Sequence, residues 1–165
     1  MILYHGSNMV VERPKLLEPT RLLDFGAGFY TTTNRAQAAS FCKKVCLRLR
    51  SRSGVVSVYA FDLPLAQKTL RVLEFKAANE EWLDFVAANR IGKPLRMKWD
   101  IVIGPVANDT IYRTFVAYET GFYTKQQTLE QLKIRKLYNQ VTFKTEEALS
   151  FLTFRKFLTL GGGNV

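Results

Sequence analysis

The sequence predicts an α+β fold, and three observations predict it. Runs rich in β-branched and aromatic residues are interspersed with segments whose apolar residues recur at helical spacing. Several of those runs are short, and the crossovers between them are irregular, unlike the even rhythm of a doubly wound parallel sheet. The chain has 165 residues, 47% of them hydrophobic, the length and apolar content of one ordinary globular domain. Residues 1–160 therefore read as a single domain. Residues 161–165, opening on Gly161-Gly162-Gly163, read as a flexible tail.

Ile2, Leu3, Tyr4 and His5 form a short predicted strand that ends in the turn cluster Gly6-Ser7-Asn8. Pro14, Pro19 and Arg21 mark a loop that leads into Asp24-Phe25-Gly26-Ala27-Gly28-Phe29-Tyr30-Thr31-Thr32. There, two glycines allow a tight turn and a close backbone approach before a strand delivers the Tyr30 ring. Asn34 with Gln37 signals a helix start, and Ala38, Phe41, Cys42, Val45 and Leu49 give its apolar stripe, with Gly54 as the stop. Strands follow at residues 55–61 and 70–75. Trp82, Leu83, Phe85 and Val86 place a helix over residues 80–89, ended by Gly92 and Pro94. Residues 100–106 read as a buried strand, after which Asn108 or Asp109 caps a helix carrying Ile111, Phe115 and Val116. Thr124 and Gln127 form a capping box ahead of Leu129, Leu132 and Leu137. A strand at 138–143, a short helix at 145–152 and a β-prone end complete the chain.

The formal net charge of +10 and the isoelectric point near 9.8 favour polyanionic partners. Nucleic acid comes first, an acidic protein such as a dedicated inhibitor second. The charge concentrates on residues 35–53, where Arg35, Lys43, Lys44, Arg48, Arg50 and Arg52 occur with no acidic residue, an expected anion-facing surface. Cys42 and Cys46, four apart on a helix, sit too far apart for a relaxed disulfide and read as small buried hydrophobes. With His5 the only histidine, neither a zinc site nor a complete Ser-His-Asp triad can be assembled. Walker A and dinucleotide fingerprints lack their strand-to-helix context, because Gly26-Ala27-Gly28 leads into a strand. No secretory signal or membrane-length apolar run is read, so a cytoplasmic location is expected.

His5-Gly6-Ser7, Gly26-Ala27-Gly28-Phe29-Tyr30-Thr31 and Asn139-Gln140-Val141-Thr142-Phe143, taken in order, resemble the three split motifs of the ADP-ribosyltransferase superfamily. The similarity is to the branch with a His-Tyr-Glu triad, which includes the diphtheria toxin and poly(ADP-ribose) polymerase catalytic domains. The chain resembles more closely the bacterial family called domain of unknown function 3990 (DUF3990), placed in that superfamily. That likeness runs nearly end to end, through Trp82-Leu83-Asp84-Phe85, Asn89-Arg90 and residues 100–109 as well.

The resemblance implies a split β-sandwich with flanking helices, NAD lying in a cleft between two small sheets. It implies that His5 bonds a ribose hydroxyl of the adenosine half, that the Gly6 backbone holds the carboxamide of nicotinamide and that Ser7 supports the ribose. Tyr30 would stack on the nicotinamide ring, with Gly28, Phe29 and Thr31 beside it and Phe41, eleven residues on, as a second aromatic. Asp24 and Arg90 fall among the matched positions as supporting residues. At the third motif the chain departs from the pattern, with Gln140 where the toxins and polymerases have glutamate. An amide can accept a hydroxyl's hydrogen bond but carries no charge and is no useful base. Asp100, Asp109 and Glu146 are the other candidate carboxylates, each with an ordinary reading: strand-edge partner, helix cap and first-turn charge. The expected activity is NAD-dependent mono-ADP-ribosyl transfer to a macromolecule, RNA before protein, without a metal. The implied setting is a bacterial toxin–antitoxin or phage-defence locus with an inhibitor protein. The alternatives are an NAD glycohydrolase and a non-catalytic nucleic-acid-binding module.

Overall fold

The computed structural model describes residues 1–18, 22–93, 97–106, 109–133 and 139–160, without the side chains of residues 109–112 and 133. The expected positions Arg21, Asn108, Leu137 and the tail 161–165 lie outside the described residues. The fold is α+β. Its strands are β1 (Ile2–Ser7), β2 (Phe29–Thr32), β3 (Gly54–Phe61), β4 (Val72–Glu74), β5 (Ile101–Pro105), β6 (Asn139–Phe143) and β7 (Leu152–Leu160). The helices are α1 (Arg35–Leu49), α2 (Leu63–Thr69), α3 (Glu80–Arg90), α4 (Asp109–Glu119), α5 (Lys125–Lys133) and α6 (Glu146–Leu149).

Among the described residues the strands form one sheet in the order β4-β5-β6-β2-β1-β3-β7. All neighbours are antiparallel except the β4–β5 pair. The described strands thus make one continuous sheet where the resemblance implied two small ones, and the β1–β2 pairing is its narrowest junction. β1 and β3 pair over six positions and β2 and β6 over four, whereas β1 and β2 share only Tyr4↔Thr32.

Side-chain alternation gives each face its own core. Leu3, Phe29, Tyr59, Phe61, Val141 and Phe143 pack on one face with Leu149. On the other, Val102 meets Phe25, Trp82, Leu83, Val86, Phe115 and Leu132, and half-buried Tyr30 lies against them. The Trp82 indole donates to the Pro105 carbonyl (3.1 Å), which satisfies its polar atom inside this core.

Capping chemistry starts the helices where side chains allow it. Asn34 accepts from the Gln37 N–H at the head of α1, and Asn79 from the Trp82 N–H at α3. Thr124 and Gln127 close the full reciprocal box ahead of α5. Asp62 caps α2, a helix that sequence reading did not identify. Its seven residues, with Pro64 in the first turn, are too few for a helical periodicity to show.

The end of α1 differs from expectation. Arg50, not Gly54, terminates it, adopting a left-handed conformation (φ 52°) while its N–H and that of Ser51 return to carbonyls of the last turn. Gly54 instead opens β3 and is needed there for packing, since a Cβ would stand 2.6 Å from Cys42 Sγ. The apolar seam of α1 is correspondingly narrow: Ala38, Cys42 and Val45 are buried, while Phe41 and Leu49 are exposed. Both cysteines are free thiols with sulfurs 4.0 Å apart.

The small-residue seam lets α1 lie directly on β1. A Cβ on Gly6 would meet Ala38 O at 2.1 Å and the Cys42 backbone nitrogen at 2.9 Å, contacts with backbone that cannot rotate aside. Gly6→Ala should therefore destabilise the fold by about 1–3 kcal/mol, the range for an overpacked core. Gly121→Ala, with a positive φ but open space around it, should cost about 1 kcal/mol or less. Denaturant unfolding of both variants checks this, and equal midpoints would contradict the packing described for α1.

Candidate functional site

The candidate residues of β1 and β2 flank the point where the β1–β2 ladder stops. Beyond Tyr4 no β2 partner is registered for His5, Gly6 or Ser7. The His5 imidazole sits in this gap. Its Nδ1 lies 2.7 Å from the Tyr30 carbonyl, so the side chain serves a strand carbonyl that the interrupted ladder leaves available. The ring also rests on Phe29, centroids 4.4 Å apart and tilted by 31°. Burial lowers the His5 pKa below its ordinary 6.5, against the opposing pull of the Tyr30 carbonyl. At neutral pH the ring is uncharged, Nδ1–H donates to Tyr30, and Nε2 presents a lone pair.

Tyr30 is fixed at both ends. Its hydroxyl donates to Gly26 O (2.7 Å) and accepts from the Phe25 N–H (3.0 Å), bracing the turn before β2. Gly26 has φ +74°, which a glycine tolerates and most residues do not. Gly28 serves packing: a Cβ there would approach Phe143 O and Thr142 Cγ2 at 2.7 Å. Phe29 is core, edge-on to Tyr59. Thr31 is buried, its hydroxyl donating to Val141 O (2.8 Å). Ser7 is half-buried, with its hydroxyl directed at Asn8 Oδ1 (3.3 Å) and its carbonyl receiving the Cys42 thiol (2.9 Å).

Gln140 pairs with Thr32, and Thr142 with Tyr30, so these four side chains share one face. His5 lies on the opposite face with Leu3 and Phe29. The structure therefore brings Tyr30 and Gln140 together, and joins His5 to them through the Tyr30 backbone at the strand gap. Gln140 is 7% exposed, and among the described residues neither its Nε2 nor Thr142 Oγ1 has a hydrogen-bond partner. Each such orphan costs about 1–3 kcal/mol and is met in practice by a water or a ligand. Phe41 is 43% exposed on the turn of α1 whose backbone touches Gly6, a ring face open to a ligand.

A family model described as "Protein of unknown function (DUF3990)" matches residues 1–154. The chain belongs to this family. No curated protein matches it. The DUF3990 match covers the three motif strands β1, β2 and β6, and thus every residue of the gap just described.

The supporting residues of this DUF3990 chain have structural partners. Asp24 pairs with Arg90 at 2.8 Å, both largely buried, and the guanidinium lies 4.7 Å over the Phe115 ring. Asp100 accepts from the backbone and side chain of Arg71 (2.9 and 3.2 Å), and these contacts outweigh burial to hold its pKa low. Its ordinary reading as a strand-edge partner is the one the geometry gives. Asp100 and exposed Glu146 lie at the opposite end of the β5–β6 pair from Gln140. Asp109 is the first residue of α4, with its side chain outside the description.

Lys43, Lys44 and Arg48 are exposed on α1, and Arg50 and Arg52 on the turn after it. Arg48 in the last turn also complements the helix dipole. One residue beside the site escaped sequence reading. Lys144, just past β6, donates to Phe25 O and to Ala27 O (2.9 Å), and burial pushes its pKa down to about 8. A lone lysine after a strand carries no signal in sequence; only the turn that it meets gives it a role.

His5 supplies a check on this geometry. Its pKa is lower in the folded protein than in the unfolded chain, so the unfolded state takes up a proton first as pH falls below 6.5. Stability should fall across that window on this account, and His5→Asn should flatten the slope. With one histidine in the chain, an imidazole NMR titration reads the site directly; a midpoint at or above 6.5 would contradict the buried, neutral ring.

Proposed function

We propose that the protein is an NAD-dependent mono-ADP-ribosyltransferase that modifies a macromolecule, RNA before protein. The observation that carries the reading is the strand gap itself. There a neutral imidazole is locked through Nδ1 with Nε2 free to accept a ribose hydroxyl, and the strand whose carbonyl it holds carries on its other face a braced tyrosine ring, with the buried Gln140 amide, without a partner among the described residues, on the neighbouring strand. In this reading the narrow junction is the split of the superfamily's β-sandwich, and NAD lies across it. Tyr30 and Phe41 offer rings to the nicotinamide, whose positive charge gains from aromatic faces. The orphaned Gln140 amide meets polar groups of the ribose.

In the reaction the bond between ribose C1′ and the nicotinamide nitrogen breaks, and its electron pair leaves with nicotinamide. The acceptor's nucleophile bonds to C1′ and releases its proton. Gln140 supplies no base, and the described carboxylates Asp24, Asp100 and Glu146 are paired elsewhere or remote. Acceleration then rests on placing the ring and stabilising charge at C1′, and the acceptor brings its own nucleophilicity. The cations on α1 fit a phosphate backbone as acceptor surface. A toxin role with a cognate inhibitor, in the cytoplasm, follows from the family resemblance.

Incubation with NAD labelled in the adenylate half tests the reading. Label should appear on RNA or protein, and Tyr30→Ala should lower transfer at least tenfold. Free ADP-ribose without conjugate would instead identify a glycohydrolase, and intact NAD a binding module. Replacing Lys43, Lys44 and Arg48 by Gln should reduce the salt slope of single-stranded RNA binding by about 2, at roughly 0.7 per phosphate contact. An unchanged slope would remove α1 from the RNA surface.

A further inference from the structure

Two side chains hydrogen-bond the backbone of the turn that precedes Tyr30, and only one of them belongs to a motif. The Tyr30 hydroxyl takes the Phe25 N–H and the Gly26 carbonyl. The Lys144 ammonium takes the two carbonyls on either side of Gly26, those of Phe25 and Ala27. A Cβ on Gly26 would lie 3.1 Å from Lys144 Nζ and 2.7 Å from Asn89 Oδ1, so the turn is pressed against both. Asp24, at its start, is held by Arg90. Lys144 is itself anchored, its backbone N–H donating to Asp100 O (2.8 Å).

We infer that Lys144 is a positioning residue of the site, clamping residues 24–28 so that Tyr30, and through its carbonyl His5, hold their orientation. The inference rests on the functional reading above only for its ligand. The clamp is unlike a surface lysine in three ways. Its donors are spent on backbone carbonyls that no strand or helix partner takes up. Half-buried, it gives up solvation to reach them, the cost that lowers its pKa. And Asp24, at the start of the turn, and Asp100, whose carbonyl accepts the Lys144 N–H, are engaged with arginines, while among the described residues no ion pair joins Lys144 to exposed Glu146 or Glu147, so the turn carbonyls are its partners. An ammonium, with three donors on a flexible stem, can straddle a glycine in this way.

The test compares Lys144→Met, which keeps the stem and loses the donors, with Lys144→Arg, which keeps donors and charge. Amide exchange of residues 25–28 and the His5 imidazole tautomer and titration are read first, without any ligand. Lys144→Met should speed exchange in the turn at least tenfold while β3 stays protected. It should also move His5 toward mixed tautomers and an unperturbed pKa; Lys144→Arg should restore both in part. NAD affinity, read by equilibrium dialysis, should fall about tenfold in Lys144→Met. Wild-type exchange and an unchanged His5 signal in Lys144→Met would overturn the inference. So would a loosened turn with full NAD affinity. If the wild-type protein does not bind NAD, the functional reading fails, while the exchange and imidazole measurements still decide the role of Lys144.

Discussion

The hydrogen bond from His5 Nδ1 to the Tyr30 carbonyl is the contact on which the rest of the site depends. A sheet normally satisfies each strand carbonyl with the N–H of its neighbour. Here β1 and β2 pair at one position and then separate, which exposes backbone that has to be satisfied some other way. An imidazole is well suited to the place. It is flat enough to lie on Phe29, it offers one donor to the carbonyl, and it keeps a second nitrogen for something else. The sheet's continuity and the site's opening are therefore two consequences of one substitution of a side chain for a ladder bond.

The gap stays open because both flanks are held from outside it. On the β1 side, α1 lies against Gly6 through backbone atoms and small side chains, so β1 cannot shift toward β2 without moving a fifteen-residue helix. On the β2 side, Gly28 is pressed onto β6, and Thr31 bonds across to Val141. Residues that look like ligand-binding glycines thus serve first to bring backbones together. The shape of the strand gap is therefore set by packing within the fold.

Much of this was legible in sequence because it rests on short-range rules. Asn34 and the Thr124–Gln127 pair act within one helical turn, and the buried strand at Ile101–Pro105 announces itself by composition. What was not legible depends on pairing at a distance. The Arg50 left-handed cap defied a rule in which Gly54 was the obvious stop, and Gly54 proved to be fixed by Cys42 on another element. Phe41 and Leu49 fit the helical period, yet only three small residues of α1 are buried, because the helix approaches too closely for larger ones. In the same way, Lys144 and the orphaned Gln140 amide acquire meaning only once β6 lies beside β2. The sequence motifs marked His5, Tyr30 and Gln140 but could not show that alternation sends His5 to the other face.

That separation of faces bears on why position 140 carries an amide. A carboxylate there would be almost fully buried. Among the described residues no donor or cation bonds the Gln140 side chain, so nothing would offset the lost hydration of a negative charge. Burial would push its pKa up and disfavour the charged form. A neutral amide is less costly to bury here than a charge, although its Nε2 leaves two N–H donors unmatched among the described residues. A buried glutamate needs surroundings that stabilise its charge, and of the cations in this part of the fold Lys144 bonds the turn carbonyls and Arg90 pairs with Asp24. Gln140 therefore spares the fold a buried negative charge, at the cost of an unmatched amide nitrogen, and offers no base at this end of β6.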